Sequence, residues 1–397
     1  MFFVELNVGS REFQLAIIHK YRELELARPD SQFNKEHLNN KNMNTTNLFT
    51  PLTIRSLTLK NRIALSPMQQ YSAVDGKPTN WHLVHLGSRA AGGAGLIITE
   101  CTAVSPEGMN TLADVGLWNT EQVEAWKPIV QFVREQGAAI AVQLWHSGGK
   151  GSHTHPNEGF KPMTIENGGW ITKSSSPTTM SGVVPAELTV AEIQQIKTDF
   201  VEAAKRAVEA GFDTIELHAG HGYLFHQFYS AVINHRTDEY GGSFENRIRF
   251  LIETVQAVRV EIPETMPLLV RISAVDYLET PETWTLEDSV KLSGILAENG
   301  VDFITASGGG FAHVDKSLVH PGYQLPFATA IKEQTGVLTG TVGMITNAQQ
   351  ANDIITRGKA DVVVIAREYL RNPHFAINAA KELDIETDIP WQYKRGY

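Results

Sequence analysis

Eight short, β-rich apolar runs recur along the chain, separated by longer stretches with helical spacing. They are RIALSPM (62–68), GLIITE (95–100), AIAVQL (139–144), TIELHA (214–219), LLVRISA (268–274), FITASG (303–308), VLTGTVG (337–343) and VVVIARE (362–368). Strands this continuously apolar are buried on both faces, the pattern of a parallel sheet covered by helices. Eight such units close on themselves, so the expected fold is an α/β chain forming a (β/α)8 TIM barrel. The competing architecture is an open doubly wound sheet, but no Gly-x-Gly-x-x-Gly follows an early strand.

The intervening segments carry helix punctuation. TVAEIQQIKTDFVEAAKRAVEAG (189–211) opens on Thr189 with Glu192 three residues on and closes on Gly211. EQVEAWKPIVQFVREQG (121–137) ends at Gly137, and SFENRIRFLIETVQAVRVEI (243–262) stops before Pro263. TLEDSVKLSGILAENG (285–300) and TNAQQANDIITRG (346–358) share the cap-to-glycine pattern. A Gly/Ser/Pro-rich stretch at 145–188 reads as a long excursion after the third strand, over the barrel mouth. Residues 1–42 read as an appendage, either poorly ordered or an over-extended start; the barrel domain then occupies 43–397.

Charge and cysteine usage narrow the partners. A net charge of −10 without a basic block argues against nucleic acid or an anionic membrane. No run of 18 apolar residues is present to span a bilayer. The single cysteine, Cys101, excludes an internal disulfide and a cysteine-rich metal centre, and it fits a reducing cytoplasm.

Barrel active sites form where strands end at the C-terminal face. Strand 1 ends in Pro67, Met68, Gln69, Gln70 and Tyr71, and strand 2 in Glu100, Cys101 and Thr102. Gln143, His146 and Lys150 follow strand 3; His218, His221 and Tyr223 close strand 4. Strand 5 carries Arg271, alone among apolar neighbours. A buried guanidinium needs a partner: either a structural salt bridge to Glu100 or Glu216, or a bound electron-rich ring. Late in the chain, the glycines at 308–310, 340 and 343 with Arg367 suit a phosphate dianion, although glycines can also merely turn the chain. Two imidazoles and a phenol at one strand end can hold a metal, or bind an oxygen and donate a proton.

These segments are similar to the old yellow enzyme family of flavin mononucleotide ene-reductases. The resemblance rests on NLFTPLTIRSLTLKNRIALSPM, LHAGHGYLFHQF, NHRTDEYGGSFENR, LLVRISA, TGTVGMIT and VIAREYLRNP, and QYKRG at 392–396 resembles the close of a bacterial branch. It implies tightly bound FMN at the mouth, with Pro67, Met68, Gln69 and Cys101 lining the ring. Gln143 and Arg271 would contact its pyrimidine side, and Gly343, Ala366 and Arg367 its phosphate. It further implies NADPH or NADH as hydride donor and ping-pong transfer through flavin N5 to the activated C=C bond of an α,β-unsaturated carbonyl or nitroalkene. His218 and His221 would bind the substrate oxygen and Tyr223 would give the proton. Tyr71 and Lys150 would contact substrate. Arg395 would reach a neighbouring subunit's site in a homo-oligomer, a dimer or tetramer. Gln69 stands where the family usually has Cys or Thr, so an altered flavin potential is expected. The competing functions are a metal-dependent barrel hydrolase using His218, His221 and His146 or His235, and a catalytically silent flavin-binding barrel.

Overall fold

The computed structural model describes residues 46–312 and 314–397. The expected appendage at 1–42 lies outside the described residues. The described chain opens with a small antiparallel hairpin, β1 (Leu52–Ile54) and β2 (Leu57–Leu59). Eight parallel strands then close into a barrel in chain order: β3 (Ile63–Leu65), β4 (Leu96–Ala103), β5 (Ala139–Trp145), β8 (Thr214–Ala219), β9 (Leu268–Ser273), β10 (Phe303–Ser307), β11 (Leu338–Thr341) and β12 (Val362–Ile365). The two remaining strands, β6 (Lys173–Ser174) and β7 (Ala186–Glu187), pair within the excursion. All eight expected strands are present, most of them shorter than the apolar run because the run continues into the loop.

Five helices sit where their punctuation places them. They are α2 (Thr120–Glu135), α3 (Val190–Ala210), α5 (Phe244–Glu261), α6 (Leu286–Glu298) and α8 (Ala348–Thr356). Thr189 and Glu192 form the anticipated reciprocal cap, and Gly211 ends α3 at φ 89°. The last of the five begins later than its sequence suggests, because Asn347 rather than Thr346 supplies the cap by accepting from the Gln350 N–H. The remaining α-helices among the described residues are α1 (Asn80–Ala91), α4 (Leu224–Tyr229), α7 (Leu325–Thr335), α9 (Arg367–Arg371) and α10 (Phe375–Glu382).

Side chains alternate across each strand. On β8, Ile215, Leu217 and Ala219 face the helices and join the large outer core. Barrel-facing Leu96, Ile98, Ala139, Leu269 and Phe303, near the strand starts, pack with Leu52, Ile54 and Leu59 of the hairpin, which floors the barrel. Polar side chains occupy the levels above: Gln143, Glu216, Arg271, Thr305, His218 and Ser307 are all buried. An apolar floor beneath a polar upper half leaves the C-terminal mouth as the place for chemistry.

Behind that mouth an aromatic stack supports α4. The Phe225 ring lies 4.8 Å from Phe200 on α3 and 4.9 Å from Phe250 on α5. Phe225→Ala should leave a cavity that costs about 3–5 kcal/mol. Chemical denaturation should show that loss with the far-UV spectrum of the barrel retained; a cost below about 1 kcal/mol would mean that the stack does not support the fold.

Candidate active site

The end of β8 turns sharply. His221 adopts φ 55° and Gly222 φ 73°, two consecutive left-handed residues, the first of them not glycine. Each of their backbone polar atoms is held. His221 N–H donates to Ser273 Oγ at 2.8 Å, and its carbonyl accepts from Lys150 Nζ at 2.8 Å. Gly222 N–H donates to His226 Nδ1 at 2.8 Å, and its carbonyl accepts from Gln227 Nε2 at 2.7 Å. Behind Gly222, the wholly buried His226 and Asp276 pair at 2.7 Å. Gly310 also approaches: a Cβ there would lie 2.2 Å from Gly222 N, so only glycine fits.

The turn sets His221 beside His218, with His221 Nδ1 3.2 Å from His218 Nε2. His221 Nε2 lies 2.8 Å from Ser307 Oγ. Burial, and next the Arg271 charge, hold both imidazoles well below their ordinary range, so both are neutral. As the rings stand they bond to each other and to Ser307 and do not converge on one external point. Tyr223 packs edge-on against Trp145 (centroids 4.5 Å) and His218 (5.2 Å), and its hydroxyl lies 3.4 Å from Asn110 Nδ2. Burial pushes its phenol well above the usual range, which keeps the proton on.

Arg271 donates to Ser66 Oγ at 3.0 Å, while its Nε is buried without a partner. Among the described residues no carboxylate lies within salt-bridge distance of it, so the direct bridge to Glu100 or Glu216 does not form. Glu216 instead accepts from Gln143 Nε2 (2.7 Å) and Thr305 Oγ1 (2.8 Å), and Gln143 Oε1 accepts the Cys101 thiol at 3.1 Å. Glu100 accepts the Gln70 N–H at 2.8 Å and faces His82 Nε2 at 3.1 Å. Burial holds the Cys101 thiol well up, so it is a hydrogen-bond donor rather than a nucleophile.

A cavity of about 340 Å³ runs from His221, Arg271 and Ser66 to Gly343, Ala366 and Arg367. Four residues expected to hold the cofactor thus share one cavity. Gly343 (φ 112°) and Met344 (φ 51°) wind the loop after β11, and a Cβ on Gly343 would come 3.1 Å from Gln324 N. Arg367 enters none of the ion pairs among the described residues and remains available to a dianion. Neither end of the Gln69 amide makes a hydrogen bond, although it lies near enough to Asp114 to favour that carboxylate. Unspent donors at Arg271 and Gln69, with a glycine-wound loop and a cation at the far end, fit a flavin with a phosphate tail.

The other expected residues lie around this centre. Pro67 and Met68 are half-buried in the β3–α1 loop. Tyr71 follows, its carbonyl accepting from His155 Nε2 at 3.0 Å and its ring edge-on to His155 and Phe160 of the excursion. Lys150 Nζ bonds the His221 and Gly310 carbonyls and lies 4.8 Å above the Tyr223 ring; burial pulls its ammonium down to about 8. Arg395 is exposed in the turn Lys394–Gly396, apart from this cavity. No three His, Cys, Asp or Glu side chains among the described residues are placed to hold a metal ion. No described helix is long and apolar enough to cross a membrane. Sequence reasoning placed Ser307 at the end of the sixth strand without a role and missed Ser66, Asn110 and Gln324, polar residues whose only signal is proximity after folding.

A closed barrel whose polar mouth holds unspent donors, a glycine-wound loop and a cation belongs to the cofactor-binding class of barrels. Residues 47–386 match the NADH:flavin oxidoreductase / NADH oxidase family. The chain is 44% identical over 352 residues to an NADPH dehydrogenase of Bacillus subtilis (strain 168), covering 88% of this chain and 99% of the relative. It is 43% identical over 373 residues to an NADH:flavin oxidoreductase of Gibberella zeae, covering 88% and 90%. Morphinone reductase superposes with TM-score 0.71 at 27% identity, covering 87% of this chain and 92% of that one. A morphinone reductase complex with tetrahydroNAD superposes at 0.70 and 28% identity, covering 86% and 92%. The chain belongs to the NADH:flavin oxidoreductase / NADH oxidase family, the old yellow enzyme family. It is an FMN-dependent oxidoreductase that works with a nicotinamide.

Asp114 anchors the loop that brings Asn110 to Tyr223, accepting from Asn110 N (2.6 Å), Thr111 N (3.0 Å) and Thr111 Oγ1 (3.0 Å). Burial raises its carboxyl to about 6. Its folded value exceeds the unfolded one near 4, so its stabilising contribution is complete below about pH 4 and is lost as pH rises through about 6. Asp114→Asn should therefore gain on the parent by about 3 kcal/mol between pH 4 and pH 8. Unfolding free energies across that range check it; a difference independent of pH would contradict the burial argument.

Proposed function

We propose that this chain is an NADPH-dependent ene-reductase acting on α,β-unsaturated carbonyls or nitroalkenes. The observation that carries the reading is the placement of Tyr223: a phenol whose proton burial holds on, packed against His218, which bonds His221 at the cavity that Arg271 and Arg367 also line. Bound FMN supplies the hydride exchange between nicotinamide and substrate. Neutral imidazoles are hydrogen-bond donors without a full charge, suited to an oxygen that gathers charge only during reaction. A carbonyl or nitro oxygen would replace the mutual His218–His221 bond, His221 turning from its partner to meet it. Tyr223 would deliver a proton to the α-carbon, with Asn110 steadying its hydroxyl.

Arg271 would favour the anionic reduced ring, and Gly343, Ala366 and Arg367 would hold the phosphate. Pro67, Met68, Gln69, Cys101 and Gln143 would line the ring, and the free Gln69 amide is a donor and acceptor for its carbonyl edge. Tyr71, covered by the excursion, would flank the substrate. Lys150 would act by bracing the His221 turn, since its ammonium is already engaged by two carbonyls. Arg395, exposed and apart from its own chain's cavity, would serve a neighbouring subunit's site. The similarity to NADPH dehydrogenases supports NADPH as donor. A metal hydrolase finds no ligand set among the described residues, and a silent barrel has no use for a half-buried proton donor at its mouth.

The test separates the half-reactions. Purified protein should be yellow and release FMN on denaturation. Tyr223→Phe should slow reduction of 2-cyclohexenone by about 10²-fold or more, while NADPH bleaches the bound FMN at the parent rate. His218→Ala should cost about 2.7–4 kcal/mol in the alkene step. Equal losses in both half-reactions would remove Tyr223 from the proton-donor role.

A further inference from the structure

Among the described residues, Glu216 is the one carboxylate in the polar layer of Gln143, Arg271, Thr305, His218 and Ser307, wholly buried in the middle of β8. Both its oxygens accept, from Gln143 Nε2 on β5 and from Thr305 Oγ1 on β10. Burial pushes its carboxyl up, and Arg271, Thr305 and Gln143 pull it back; two donors aimed at one carboxyl are the pattern of its ionised form. Gln143 is thereby locked: its nitrogen faces Glu216 and its oxygen takes the Cys101 thiol at 3.1 Å. A flipped amide would set oxygen against carboxylate and lose both bonds. Arg271 lies on the neighbouring strand, with one donor on Ser66 and a bare, buried Nε. Its charge is not neutralised by contact, yet Glu216 is the carboxylate that acts on it most strongly. A paired Arg271 would be a structural brace, and an isolated one an undiminished cation; here a fixed anion stands off from it without touching.

We propose that Glu216 is a positioning residue that sets the redox equilibrium of the flavin, by fixing the Gln143 amide and by offsetting the Arg271 charge. The proposal rests on the flavin reading above. Arg271 stabilises the anionic reduced ring, and the carboxylate beneath opposes that stabilisation. In a buried site such a charge is felt over several ångströms. Without Glu216 the flavin would hold its electrons more tightly, taking hydride readily from a nicotinamide and passing it on reluctantly. The carboxylate keeps the second half-reaction downhill.

The experiment is equilibrium reduction of the FMN-loaded protein against a reference dye, for the parent and Glu216→Gln. The variant keeps the shape and leaves an acceptor for Gln143. Its equilibrium should move toward reduced flavin by threefold or more, a tenfold move being about 30 mV for a two-electron couple. Glu216→Asp, which retains the charge, should stay closer to the parent than Glu216→Gln. A Glu216→Gln equilibrium within threefold of the parent, or one displaced toward oxidised flavin, overturns the proposal. If that variant sheds FMN, Thr305→Val decides. It leaves the carboxylate less compensated and should displace the equilibrium toward oxidised flavin by twofold or more; no displacement, or the reverse, overturns the proposal. Parent protein without FMN would sink the flavin reading itself, a result distinct from an FMN-loaded variant whose equilibrium does not move.

Discussion

The left-handed turn at His221–Gly222 is the constraint on which the rest of the mouth depends. A non-glycine residue in this region costs about 1–2 kcal/mol, and it persists only where its surroundings over-determine it. Here they do. Ser273 from β9, Lys150 from the excursion, and His226 and Gln227 from α4 each take one backbone atom of the turn. The turn in turn fixes three things together: the His221 ring against His218, Tyr223 against Trp145, and the close approach of Gly310. An unconstrained strand end would leave two histidines and a tyrosine in many rotamers. This one leaves them in a single arrangement, with the freedom that remains in the His221 ring.

Electrostatics complete what the backbone begins. Two cations, Arg271 and Lys150, flank the histidine pair and, with burial, keep both rings neutral. Neutrality matters because a protonated imidazole would bind a ground-state anion as readily as a developing one, giving no advantage to the transition state. The acids nearby are kept to other tasks. Glu100 is spent on the Gln70 N–H and His82, which ties the loop carrying Gln69 and Tyr71 to α1. Asp114 is spent on the Asn110 loop.

The barrel was legible because its physics is local and periodic. A strand buried on both faces is largely apolar, so β4, β5 and β8 stand out as near-continuous runs interrupted by a few polar residues. Helix α3 announces both its ends through Thr189, Glu192 and Gly211. By contrast, α1 closes its capping box with His82 in place of Glu or Gln, and α7 starts without any side-chain cap. The site residues divide the same way. His218, Arg271 and Gln143 are polar groups in apolar strands and can be found from that mismatch. Ser307, Asn110 and Gln324 are ordinary loop or strand-end residues, and Ser307 meets His221 from 86 residues away. No local signal encodes such a meeting. Nor does any encode the stand-off between Glu216 and Arg271, which a sequence can offer only as a choice between contact and none.

The excursion shows why loops, rather than strands, distinguish one barrel from another. Its first turn delivers Lys150 to the His221 carbonyl and to Gly310, joining the loops after β8 and β10. Farther along, His155 holds the Tyr71 carbonyl while Phe160 packs against the Tyr71 ring and stacks on His153 at 4.7 Å. Tyr71 itself is left-handed at φ 50°, a strained residue covered from above. One segment therefore supports two strained, non-glycine positions, His221 through a carbonyl at its near end and Tyr71 through a carbonyl and an aromatic cluster farther on. Two strained positions stabilised by a single loop make the shape of the mouth depend on that loop as much as on the barrel beneath it.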